Sequence, residues 1–86
     1  MHYLSFMPMV FRQDGFRFFF YSNEGNPREP AHIHVMAGDR EAKFWLRPDV
    51  ALAESKGVDA RTLRRLAQLV GARRDEIERA WNDHFR

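Results

Sequence analysis

The run from Pro30 to Leu46 allows few folds. It reads Pro30-Ala31-His32-Ile33-His34-Val35-Met36-Ala37, then Gly38-Asp39, then Arg40-Glu41-Ala42-Lys43-Phe44-Trp45-Leu46. Side chains on a strand alternate between faces, so Ile33, Val35 and Ala37 share one side while His32, His34 and Met36 share the other. After a two-residue turn at Gly38-Asp39 the pattern repeats. Ala42, Phe44 and Leu46 join the apolar side, and Glu41, Lys43 and Trp45 face the way the histidines face. Counting outward from the turn sets Ala37 opposite Arg40, Met36 opposite Glu41, His34 opposite Lys43 and His32 opposite Trp45.

A first hairpin precedes this one. Pro8-Met9-Val10-Phe11-Arg12 meets Phe16-Arg17-Phe18-Phe19-Phe20-Tyr21 across Asp14-Gly15, a strong turn signal. The count pairs Arg12 with Arg17, Phe11 with Phe18 and Val10 with Phe19. Its second strand is apolar on both faces, so one face needs helices and the other needs different cover. The polar segment from Ser22 to Pro30 is a surface loop stiffened by Pro27 and Pro30. Val50 to Gly57 fits either a short strand extension or one helical turn.

From Ala60, the residues Leu63, Leu66, Ala67 and Val70 recur at helical spacing behind a cap at Asp59 or Ser55. Gly71 marks a break or kink. Ile77, Ala80, Trp81 and His84 or Phe85 continue the spacing in a second helix, with Asp75 and Glu76 in its first turn. The expected architecture is therefore α+β: a four-stranded antiparallel sheet of two hairpins with two C-terminal helices on one face. One domain spans residues 1–86, with the sheet in 8–46 and the helical part in 59–85.

At 86 residues and without cysteine, the chain builds one small core and offers neither disulfides nor thiolate metal ligands. Its opening residues hold no basic leader and no long apolar run, so a cytoplasmic protein without membrane contact is expected. A net charge of +2 is small, but Arg61, Arg64, Arg65, Arg73, Arg74 and Arg79 crowd the last third. That clustering suits phosphates or an acidic protein.

Two imidazoles at i and i+2 of a strand are half of a metal site. A third ligand would come from Glu24, Glu41, His2 or His84, none at diagnostic spacing, so no metal and no other cofactor is expected. A metal-free acid/base site suits the residues better, because imidazole exchanges protons near neutral pH and Lys43 can hold an anion such as phosphate. For RNA cleavage, one of His32, His34 or Glu24 would take the 2′-hydroxyl proton and another imidazole would protonate the leaving oxygen. Lys43 or Arg17 would stabilise the transition state. No motif fixes that reaction. Phe19, Tyr21 and Trp45 would form an exposed patch for a protein partner or for stacked bases, and with Arg64 and Arg65 they make the expected binding set. The competing class is a non-catalytic module that holds a protein or nucleic acid through those residues; plainer still, the histidines lie on a polar sheet face and the arginines are solvated.

The order Met9-Val10-Phe11-Arg12, Asp14-Gly15, Arg17-Phe18-Phe19-Phe20-Tyr21-Ser22, Pro30-Ala31-His32-Ile33-His34-Val35, Ala42-Lys43-Phe44-Trp45-Leu46 and Ala80-Trp81 resembles the bacterial domain-of-unknown-function family numbered 4160. The resemblance runs from Met7 to Phe85. Ala31 departs from the family's Pro-Pro-His-x-His-Val motif, the loop from Glu24 to Glu29 is longer than usual, and residues 1–6 are an extension outside the pattern. The resemblance implies the toxin half of a type II toxin–antitoxin pair, with an antitoxin encoded nearby as partner. RNA and a second copy of the chain complete the expected partners.

Overall fold

Both turns form with the backbone their residues demand. Asp14 and Gly15 have φ of 54° and 80°, and Gly38 has φ of 60°, the mirror-image geometries that match the right-handed twist of paired strands. The computed structural model describes residues 8–22 and 28–85. In chain order these form β1 (Met9–Gln13), β2 (Phe16–Phe19), β3 (His32–Ala37), β4 (Arg40–Trp45), β5 (Ala51–Lys56), α1 (Ala60–Ala72) and α2 (Arg74–His84). Each strand pairs antiparallel with its sequence neighbours in the order β1-β2-β3-β4-β5.

The sheet thus has five strands, not four, and extends past Leu46 to Lys56. Ala, Leu, Glu and Lys favour helix over strand. Residues 51–56 become β5 because β4 offers an open edge of backbone donors and acceptors, which β5 satisfies from Glu41↔Lys56 to Trp45↔Ala51. An extra residue at Ala53 interrupts the ladder, which steps from Lys43↔Glu54 to Phe44↔Leu52. The β3–β4 register is the one counted from Gly38-Asp39 along its whole length. In the first hairpin Arg12↔Arg17 and Phe11↔Phe18 form, but Met9, not Val10, faces Phe19 across a bulge.

α1 starts at Asp59, whose carboxylate accepts from the Thr62 N–H at 2.7 Å, satisfying a donor the first turn would otherwise leave unpaired. The helix runs through Gly71; the break falls at Arg73, which caps α1 and precedes α2. Both helices cover one sheet face. Phe16, Phe18, Phe20, Ile33, Val35, Ala42, Phe44 and Leu46 from the sheet bury against Leu66, Leu69, Val70, Ile77 and Trp81. Each such large side chain contributes about 1.5–3 kcal/mol by leaving water. Arg47 ties the end of β4 to α2 through two hydrogen bonds to Glu78, at 2.5 and 2.7 Å.

Candidate functional site

Residues directly opposite on paired strands share a face, so the registers lay out the helix-free side row by row. One row runs Arg17, Met36, Glu41, Lys56, and the next Phe19, His34, Lys43, Glu54. A third pairs His32 with Trp45, at the end of the sheet where Trp81 of α2 also reaches the His32 ring. Rows on one face are roughly 6.5–7 Å apart. An open cavity of about 290 Å³ lies over the middle, lined by Phe19, Tyr21, His34, Lys43, Glu41, Glu54 and Lys56 among others.

His34 is half-buried in this cavity. The Tyr21 ring meets it edge-on at 4.6 Å and Phe19 stacks at 5.6 Å. These aromatic walls restrict the imidazole while Lys43 faces it from β4. The Lys43 side chain is 15% exposed, its ammonium 3.6 Å from Glu29 and 4.5 Å from the centre of the Trp45 ring, where the ring's negative face attracts a cation. The cavity therefore combines a proton-exchanging ring, a held cation and two carboxylates, the groups that bind a polar ligand and move protons on it.

His32 is placed differently. It is fully buried, its Nδ1 is 2.8 Å from the Pro30 carbonyl oxygen, and its ring lies 5.5 Å from Trp45 and 4.9 Å from Trp81 of α2. It touches His34 at 5.0 Å between ring centres. Because His32 is enclosed and His34 is half-buried, the two rings do not present a joint open surface.

Arg17 is on the same face, one row from His34, beside the cavity. Phe19 does not belong to an exposed patch: it is 1% exposed, because β2 is an interior strand and Tyr21 and His34 lie over it. Tyr21 and Trp45 are half-buried. Arg64 and Arg65 sit on the far side of the core, where Arg65 holds Asp14 at 3.0 Å, so they do not join these aromatics. Glu24 lies outside the described residues, as do His2 and the N-terminal extension. Among the described residues no three His, Asp or Glu side chains are grouped to hold a metal ion. No helix among them is long and apolar enough to cross a membrane.

Glu29, Glu54 and Lys56 also reach Lys43 or the cavity, although no motif in the sequence marks them. Glu29 lies in a loop without periodicity, and the other two became readable only once β5 was known to pair with β4.

The described chain is a small α+β domain with a five-stranded meander, helices on one face and a histidine–lysine cavity on the other. It belongs to the family described as Domain of unknown function (DUF4160), whose model matches residues 15–82. No curated protein and no solved structure matches it.

Proposed function

We propose that this chain is the toxin of a toxin–antitoxin pair and that its cavity cleaves RNA without a metal. The observation that carries the reading is His34, walled by aromatic rings, level with Lys43 in an open cavity on the face the helices leave bare. In this reading His34 transfers the proton, and Lys43 exchanges Glu29 for a phosphate oxygen. Glu54 is the second proton-transfer group, Arg17 adds charge stabilisation one row away, and Tyr21 gives a base a stacking surface. The resemblance to this family, which implies a toxin with an antitoxin encoded nearby, supports the pairing, and the antitoxin would act by covering this face.

The test is induced expression with and without the neighbouring gene, followed by inspection of total RNA. Specific fragments and arrested growth are expected, both relieved by the neighbour. His34→Ala should abolish growth inhibition and slow cleavage by about 100-fold or more, the usual range for a lost acid/base group, while the variant still folds by circular dichroism. A folded His34→Ala variant that is equally toxic would remove the site. Intact RNA in arrested cells would exclude RNA as target.

A second reading has its own support. Glu41 and Glu54 offset Lys43 and Lys56 in the cavity, a mixed-sign surface that attracts a polyanion less than an all-basic one. A protein-binding module fits that balance, and it would be harmed more by Trp45→Ala than by His34→Ala.

A further inference from the structure

Strand β5 is anomalous. No residue of it is buried, and Leu52 is 46% exposed, although a strand normally buries at least one face. It is also an end strand, and among the described residues nothing pairs with its outer edge. At the opposite end of the sheet, β1 is held to the helices: the Arg73 guanidinium lies 3.4 Å over the Phe11 ring and bonds Gln13. β5 has no proline, and its bulge at Ala53 leaves Glu54 to Lys56 regular. A bulge and charged side chains discourage indiscriminate edge pairing, so a strand that joins this edge must match Glu54 and Lys56 in sign.

We infer that β5 pairs with β5 of a second copy of this chain, joining two sheets into one of ten strands with both cavities on a shared helix-free face. Charge selects the occupant and the register. Antiparallel edge pairing about a two-fold axis must keep like faces together, so within the regular segment the axis passes through Glu54, Ser55 or Lys56. The first choice sets Glu54 against Glu54, and the third sets Lys56 against Lys56. An axis at Ser55 sets Glu54 against Lys56 of the partner subunit, twice.

That register also continues the pattern already present inside each chain. Glu41 faces Lys56 and Lys43 faces Glu54, so the signs alternate without interruption through β4 and β5 of one copy and β5 and β4 of the other. Because Glu54 and Lys56 line the cavity, each cavity then opens beside the dimer axis and is bordered by the second copy.

Sedimentation equilibrium of the purified chain tests this, with circular dichroism confirming the fold of each variant. The native chain should be a dimer. Glu54→Lys and Lys56→Glu should each weaken dimerisation at least roughly tenfold, since each turns two attractive cross-strand pairs into two repulsive ones. The two variants mixed in equal amounts should associate again, because their signs are now complementary. A monomeric native chain, a dimer that ignores both substitutions, or folded variants that fail to associate when mixed would each overturn the inference. So would finding the outer edge of β5 paired with a different protein in place of a second copy.

Discussion

Two residues apart on one strand, His32 and His34 share a face and little else. The alternation of side chains reveals the face. It does not reveal that the end of β3 lies under Trp81, because that contact comes from a helix whose path is set by the core. His32 is accordingly enclosed, its Nδ1 on the Pro30 carbonyl and its ring between two tryptophans. His32→Ala should cost about 2–4 kcal/mol through the cavity left behind and the lost hydrogen bond. In a domain of this size that lowers the thermal midpoint by roughly 10 °C or more. Thermal denaturation followed by circular dichroism measures it, and an unmoved midpoint would show that this packing contributes nothing to stability. The pairing of His34 with Lys43 was legible at this scale because a two-residue turn leaves no freedom in the count. Glu29, which holds Lys43 at 3.6 Å, was not, because a loop residue has no partner defined by period.

Elements with strong turn chemistry were the readable ones. Asp14-Gly15 and Gly38-Asp39 require positive φ and so fix where each hairpin folds back. β5 was unreadable because its residues prefer helix and are exposed; its conformation is imposed by the neighbour it pairs with. The position of the helix break was also hidden, since Gly71 sits inside α1 without ending it. The start of α1 carries a pH signature. The hydrogen bond from Thr62 holds the Asp59 carboxyl below its ordinary range, so the ionised cap adds stability above the unfolded value of about 3.9. That contribution disappears as pH falls through the still lower folded value. Asp59→Asn keeps a capping oxygen but cannot titrate. The midpoint difference between the native chain and Asp59→Asn should therefore narrow as pH is taken below about 4. Glu76, lowered by its bond to Arg73, has the same sign and is common to both proteins. A difference that stays constant through the acid range would show that the cap's charge contributes nothing.

The molecule as a whole depends on the seam between sheet and helices, and Trp81 is its keystone: it is buried, edges Phe20 at 5.3 Å and also meets His32 and Phe85. Trp81→Ala should cost about 3–5 kcal/mol out of a total near 5–15 kcal/mol. Urea unfolding should then show a much lower midpoint, with strand and helix signals lost together. A sheet that persists after the helices melt would mean that the two layers are independent. The sequence order of the strands adds a last consequence. Since every strand pairs only with its neighbours in the chain, the hairpins can zip one after another as the polypeptide leaves the ribosome, yet Ile77 and Trp81 emerge after the whole sheet. For that interval the phenylalanine-rich side is bare, and the nascent chain is a client for any chaperone that binds exposed apolar strands.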